Sequence, residues 1–130
     1  MAKVLIVDDD PDIRTAVSSI LKFRSYEVIE ACDGEEALMK LREEKPDLIL
    51  LDLLMPKMDG FAVIKELQSN NWKEYHDIPL LILSSVREEV SERRYELETG
   101  YGLKVDDYIE KPIEPYLLLE HIERLLSKKT

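Results

Sequence analysis

Short apolar runs that end in acidic residues are the feature of this sequence that most constrains its fold. Residues 4–7 (Val-Leu-Ile-Val) are followed by Asp8 and Asp9, and residues 48–51 (Leu-Ile-Leu-Leu) are followed by Asp52. Runs of this length and composition are typical of strands buried on both faces of a parallel sheet. Because the carboxyl ends of such strands share one edge of the sheet, we expect the three carboxylates to lie together there.

Three carboxylates at one edge of a sheet need a compensating positive charge, because like charges held close together repel. A hard divalent cation that prefers oxygen ligands, Mg²⁺ or Mn²⁺, is the simplest candidate. A metal-carboxylate cluster also suits phosphate chemistry, since the cation stabilises charge on phosphoryl oxygens. The sequence therefore predicts a divalent-cation site at this edge.

Strand and helix patterns alternate along the whole chain. Beyond the two runs above, the predicted strands are residues 26–31, 80–83 and 105–109. The predicted helices begin after Asp10, after Asp33, at Phe61, within residues 88–98 and after Pro112, and residues 69–77 are predicted to be a polar connection. This alternation predicts a parallel sheet with helices on both faces.

Length and charge limit the classes of protein to consider. The 130 residues suit a single domain, 1–130 with a core of about 3–127, and we expect no output domain. The net charge of −10 argues against direct binding of nucleic acid or of an anionic membrane. A single cysteine, no signal-peptide pattern and no apolar run of about 20 residues indicate a cytoplasmic protein.

Five short motifs occur in a fixed order along the chain. They are VLIVDDD at 4–10, LLDLLMP at 50–56, DG at 59–60, LSS at 83–85 and DYIEKP at 107–112. Together they resemble the receiver domain of two-component response regulators, a CheY-like domain. The resemblance covers almost the whole chain. It implies a doubly wound α/β fold of the flavodoxin-like type, with a five-stranded parallel sheet of order 2-1-3-4-5.

The resemblance gives each carboxylate of the cluster a role. It implies that Asp52 is the phospho-acceptor, whose carboxylate attacks the phosphorus of a phosphohistidine on a sensor histidine kinase or phosphotransfer protein. It also implies that Asp9, Asp52 and the backbone carbonyl of Leu54 bind Mg²⁺ directly. Asp8 would hold the cation largely through water.

The same resemblance implies three further site residues. The Lys111 ammonium would contact the acceptor carboxylate and then the phosphoryl group, and the Ser84 hydroxyl would donate a hydrogen bond to a phosphoryl oxygen. Tyr108 would be an aromatic switch whose rotamer follows Ser84. In the family, the peptide bond between the lysine and the proline at the position of Pro112 is often cis.

The implied function is a phosphorylation-switched module that acts on a downstream protein target, with a phosphorylation-dependent dimer as a further state. Such a module is not primarily an enzyme, although it assists its own phosphorylation and dephosphorylation. One alternative is a pseudo-receiver that binds partners without phosphorylation. Another is a Mg²⁺-dependent phosphatase of the haloacid-dehalogenase type, which would need an aspartate where Leu54 stands. The glycine-rich phosphate-binding patterns of nucleotide-binding folds do not occur in the chain.

Two departures from the family pattern lead to expectations of their own. Ser84 and Tyr108 are 24 positions apart, several more than usual, so we expect the helix within 88–98 to be displaced, irregular or mobile. Leu54 and Val86 stand where the family's side chains influence the water that hydrolyses the aspartyl phosphate. Neither can hydrogen-bond water through its side chain, which predicts slow autodephosphorylation.

Several polar residues near the motifs have simpler explanations. Asp10 is predicted to cap a helix, and Asp59-Gly60 to be turn chemistry alone. Asp106 and Asp107 are predicted to face solvent, and His121 to lie on the surface of the last helix.

Overall fold

The computed structural model describes residues 2–53, 55–84 and 105–127, and of Ser84 only the backbone. The strands are β1 (Lys3–Val7), β2 (Glu27–Ala31), β3 (Leu48–Asp52), β4 (Leu80–Ser84) and β5 (Asp107–Glu110). The helices are α1 (Pro11–Phe23), α2 (Gly34–Glu44), α3 (Gly60–Leu67) and α4 (Pro115–Ser127), with a 3₁₀ helix at Asn70–Tyr75. The predicted helix within 88–98 lies outside the described residues.

The five strands form one parallel sheet of order β2-β1-β3-β4-β5, which confirms the predicted fold class. The register between β1 and β3 determines which residues lie next to each other at the carboxyl ends of these strands. Val7 is level with Leu51 on the neighbouring strand, so the residues that follow them, Asp8 and Asp52, leave the sheet side by side. Leu83 is level with Asp52.

Alternate strand side chains pack on opposite faces of the sheet, which explains the continuous apolar runs. One buried cluster combines strand residues with α2, α3 and the 3₁₀ helix, including Leu5, Val7, Ile49, Leu51, Ala37, Leu41, Ile64 and Trp72. The other combines strand residues with α1 and α4, including Val4, Ile6, Leu48, Leu50, Val17, Leu21, Leu118 and Ile122. Helices therefore cover both faces, as predicted.

Several element boundaries differ from the predictions by one or two residues. β2 begins one residue later than predicted, and β5 begins at Asp107 and includes Glu110. The segment 69–77 is not merely a polar connection, because it contains a 3₁₀ helix whose Trp72 is buried. The Trp72 indole N–H donates to Glu66 Oε1 at 2.9 Å, and the Arg42 guanidinium lies 4.2 Å from the ring centroid.

None of the described helices has the length and apolar character needed to cross a membrane.

Candidate functional site

The acidic cluster predicted from the sequence forms at the carboxyl edge of the sheet. Asp8 and Asp52 are almost completely buried, with 1% and 2% of their surface exposed, whereas Asp9 is exposed. Each of the three offers a carboxylate oxygen, and these oxygens lie within 4.8 Å of one another. The prediction that β1 and β3 bring three carboxylates together is confirmed.

Lys111 brings a positive charge into this cluster from the loop that follows β5. Its Nζ lies 3.3 Å from Asp52 Oδ1 and 3.5 Å from Asp8 Oδ2. The peptide bond from Lys111 to Pro112 is cis, as in many members of the family that the sequence resembles. One ammonium is thus shared between two buried carboxylates.

Asp8 is a buried carboxylate that hydrogen bonds from the described residues satisfy only in part. Its Oδ1 accepts a hydrogen bond from the Asp10 amide at 2.9 Å, but its Oδ2 is buried and accepts none from the described residues. Burial, reinforced by the charge of Asp52, raises the pKa of Asp8, while the Asp10 amide and Lys111 oppose the shift. A buried, electron-rich oxygen beside two other carboxylates fits a hard cation such as Mg²⁺.

The turn between β1 and α1 is held by side chains on both sides. Asp10 is the N-cap of α1 and accepts a hydrogen bond from the Asp12 amide at 2.9 Å, so the predicted cap is confirmed. Arg14, one turn into the helix, reaches back and donates through Nη1 to the Asp8 carbonyl at 2.7 Å. Nothing in the sequence pattern singled out Arg14.

The loop after β3 is fixed against the strand end that carries Asp52. Asp59 caps α3 by accepting from the Ala62 amide at 2.9 Å, and the Gly60 amide donates to the Leu53 carbonyl at 2.9 Å. A Cβ at Gly60 would lie 2.4 Å from the Asp52 carbonyl oxygen. Asp59-Gly60 therefore has a structural role, as predicted, and Gly60 is in addition needed for close approach to the backbone at Asp52.

The remaining site residues predicted from the resemblance are placed only in part. Ser84 ends β4, next to the strand that carries Asp52, but its side chain lies outside the described residues, as do Leu54 and Val86. Tyr108 lies on β5 and is 39% exposed. Their functional roles stay predictions.

A second charged cluster lies where β5 begins, away from Lys111. Asp107 Oδ2 is 2.5 Å from His121 Nδ1 and also contacts the Arg124 guanidinium. Burial alone would raise the pKa of Asp107, but the Tyr108 amide, His121 and Arg124 together lower it. Both side chains are only partly exposed, 24% for Asp107 and 16% for His121, so neither is simply a solvated surface group as predicted.

Asp106 is exposed as predicted, yet its carboxylate has a structural partner. It accepts a hydrogen bond from the Leu80 amide at 2.7 Å. This contact ties the segment before β5 to the first residue of β4.

Comparison with known proteins shows the family to which this chain belongs. A family model described as "response regulator receiver domain" matches residues 4–123. The chain belongs to this receiver family. Receiver domains act in phosphorylation-based two-component signalling, bind Mg²⁺ at an acidic pocket and interact with histidine kinases and downstream effectors. They are generally not classical enzymes.

Individual relatives agree with this assignment. The alkaline phosphatase synthesis transcriptional regulatory protein PhoP of Bacillus subtilis is 38% identical over 126 residues, which are 97% of this chain and 49% of PhoP. The receiver chain thus spans about half the length of the curated relatives it matches.

Solved structures show the same fold. The chemotaxis protein CheY4 of Vibrio cholerae is 34% identical with a TM-score of 0.78, over 96% of this chain and 98% of that one. The receiver domain of a signal transduction histidine kinase from Syntrophus aciditrophicus is 33% identical with a TM-score of 0.80, over 98% and 92% of the two chains.

Proposed function

We propose that Asp52 accepts a phosphoryl group from a phosphohistidine of a sensor histidine kinase or phosphotransfer protein, in a Mg²⁺-dependent reaction. The resulting aspartyl phosphate would change the conformation of the domain and so control a protein partner. The observation that carries this proposal is the environment of Asp52, a buried carboxylate beside the Lys111 ammonium and the carboxylates of Asp8 and Asp9.

The chemistry proposed for Asp52 is nucleophilic displacement at phosphorus. A carboxylate oxygen of Asp52 forms the new O–P bond while the P–N bond to the donor imidazole breaks, and the released imidazole nitrogen keeps the electron pair. Phosphoryl transfer of this kind depends mostly on positioning and on stabilising the charge of the equatorial oxygens. The Lys111 ammonium, 3.3 Å from Asp52, is placed to stabilise that charge.

We propose that Asp9, Asp52 and the backbone carbonyl of Leu54 bind the metal directly, while Asp8 holds it largely through water. The carboxylates of Asp8, Asp9 and Asp52 form the part of this site that the structure describes. Their spacing within 4.8 Å and the buried Oδ2 of Asp8 support this assignment. When bound, Mg²⁺ supplies positive charge beside the phosphoryl oxygens. Without Mg²⁺, the three carboxylates give the site negative charge, which disfavours the approach of a negatively charged phosphoryl group.

Ser84 and Tyr108 are proposed to transmit the phosphorylation state. Ser84 ends the strand next to Asp52, and Tyr108 lies on the following strand, level with Ile82. Tyr108 is 39% exposed, which supports a role at a surface that a partner could contact.

The alternatives have less support. A pseudo-receiver would not need an intact acidic cluster with a lysine beside Asp52, yet the chain has both. The match to the receiver family covers most of the chain, and nothing favours a haloacid-dehalogenase phosphatase.

We also propose that residues 1–130 are one receiver module, because its described elements extend from Lys3 to Ser127 around one sheet.

Incubation with acetyl phosphate and Mg²⁺, followed by intact-mass measurement, tests the proposal. We expect one phosphoryl group per chain in the wild type and none in Asp52→Asn. Asp59→Asn is the matched control, because asparagine is as good a helix cap as aspartate and the residue lies outside the cluster. A wild-type protein that takes up no phosphoryl group would favour the pseudo-receiver.

A further inference from the structure

A cationic side chain outside the acidic cluster holds the turn that carries Asp8 and Asp9. Arg14 of α1 has 19% of its side chain exposed and contacts the residue after β1 and a residue of β2. Its Nη1 donates to the carbonyl oxygen of Asp8 at 2.7 Å, just beyond β1, and its Nε lies 3.3 Å from Glu30 Oε1 on β2. The two contacts use two edges of the guanidinium, which fixes the orientation of the group.

The carbonyl that Arg14 holds belongs to the peptide that joins Asp8 to Asp9. A peptide unit is planar, so fixing the Asp8 carbonyl also fixes the direction in which the chain enters Asp9. Asp9 is the exposed member of the cluster, whereas burial restrains Asp8 and Asp52. On the far side of Asp9, the Asp10 amide donates to Asp8 Oδ1. Arg14 and this hydrogen bond therefore restrain the turn on both sides of Asp9.

We propose that Arg14 is a positioning residue for Asp9 in divalent-cation binding, an inference that rests on the proposed function. Arg14 contacts a backbone carbonyl rather than a cluster carboxylate, so it acts on the cation through the direction of Asp9. Lysine keeps the charge at this position but offers no planar fork that could reach both the Asp8 carbonyl and Glu30.

A positioning role and a charge-only role of Arg14 predict opposite effects on cation affinity when Arg14 is replaced by an uncharged residue, so the two roles can be distinguished. A guanidinium near the site repels a divalent cation, so a side chain that contributed only charge would weaken binding, and its removal would tighten it. A charge-only role thus predicts unchanged affinity in Arg14→Lys and tighter binding in Arg14→Met. A positioning role predicts weaker binding in both variants.

The experiment measures the Mg²⁺ dissociation constant of the full chain by titration calorimetry, without a phosphoryl donor. We expect an increase of about tenfold in Arg14→Lys and Arg14→Met, the lower end of what loss of an outer-shell contact costs. Arg24→Lys is the matched control, because Arg24 caps the other end of α1 and also pairs with a glutamate, Glu123, at 3.2 Å. We expect its dissociation constant to equal that of the wild type.

Two further variants separate positioning from a general loss of structure. Glu30→Gln removes only the charge of the second anchor of Arg14 at an exposed site, and we expect a smaller increase of the dissociation constant. In an Asp9→Asn background, Arg14→Lys should have little additional effect, because both changes remove the same interaction.

Several results would overturn the proposal. Unchanged or tighter Mg²⁺ binding in Arg14→Lys, or fully additive effects of Arg14→Lys and Asp9→Asn, would contradict the role of Arg14 alone. A wild-type protein that binds no Mg²⁺ would contradict the proposed function as well, so the two failures are distinguishable.

Discussion

The Lys111 ammonium nitrogen lies 3.3 Å from Oδ1 of Asp52, a carboxylate that is buried at the end of β3. The same nitrogen is 3.5 Å from Asp8 Oδ2, so one cation serves two neighbouring carboxylates. Burying like charges together is unfavourable unless a cation compensates them. This relationship between Lys111 and the two carboxylates leads to the first two predictions.

Lys111→Gln should destabilise the metal-free protein, because it leaves two buried carboxylates without their ammonium. We expect the free energy of unfolding to fall by about 1–3 kcal/mol, as measured by urea denaturation in the presence of a chelator. Phosphorylation by acetyl phosphate should also slow by more than about tenfold, since a charge-stabilising group is lost. Lys22→Gln, at an exposed position of α1, is the control and should change neither quantity.

Asp8→Asn should have the opposite effect on the metal-free protein. The buried Oδ2 of Asp8 accepts no hydrogen bond from the described residues, and the substitution removes its repulsion with Asp52 while an oxygen remains for the Asp10 amide. We expect the unfolding free energy to rise by about 1 kcal/mol at neutral pH and Mg²⁺ to stabilise the variant less than the wild type. Lower stability of Asp8→Asn in chelator would contradict this explanation.

The helix cap Asp33 gives a pH dependence whose sign follows from its contacts. The hydrogen bond from the Glu36 amide, helped by Lys57 at 3.8 Å, lowers the pKa of Asp33 despite its burial. Ionised Asp33 therefore stabilises the fold above the pKa that the residue has in the unfolded chain. This stabilisation is lost as the pH falls through the lower pKa of the folded state.

Urea denaturation of the wild type and Asp33→Asn over a range of pH tests this sign. Asparagine keeps the cap acceptor and removes only the charge. The wild type should be the more stable protein at neutral pH, and the difference should shrink mostly below about pH 5. A difference that is constant or grows on acidification would be inconsistent with a lowered pKa of Asp33.

Leu54→Asn should shorten the lifetime of the aspartyl phosphate. A leucine side chain two positions after Asp52 cannot hydrogen-bond a water molecule, whereas an asparagine side chain can both donate and accept hydrogen bonds. The decay of phosphorylated protein after removal of the phosphoryl donor measures this lifetime. A half-life that is unchanged or longer in Leu54→Asn would refute the link between this side chain and hydrolysis.

The sheet and the acidic cluster could be predicted because each depends on local sequence. Strands buried on both faces need continuous apolar runs, and parallel packing sends every carboxyl end to one edge. The placement of Asp8, Asp9 and Asp52 at one edge of the sheet follows from these two facts, whereas the adjacency of β1 and β3 was expected from the strand order that the family resemblance implies. The pairing of Lys111 with Asp52 was expected only from the family resemblance, because 59 positions separate the two residues in sequence.

The features that the sequence did not predict depend on contacts between distant elements. Trp72 is buried because Glu66 and Arg42, on α3 and α2, satisfy and cover its indole. Gly60 packs against the backbone at Asp52, which its Asp-Gly pattern does not reveal. Arg14 looks like any helical arginine until the fold places the Asp8 carbonyl within its reach.

Reduction of the phosphorylated protein with borohydride, followed by peptide mapping, tests the central claim most directly. Borohydride converts an aspartyl phosphate to homoserine but leaves a free carboxylate unchanged. After incubation with acetyl phosphate and Mg²⁺, we expect homoserine at position 52 and aspartate at positions 8 and 9. Homoserine at another position, or at none while the wild type binds Mg²⁺, would contradict the assignment of Asp52 as the phospho-acceptor.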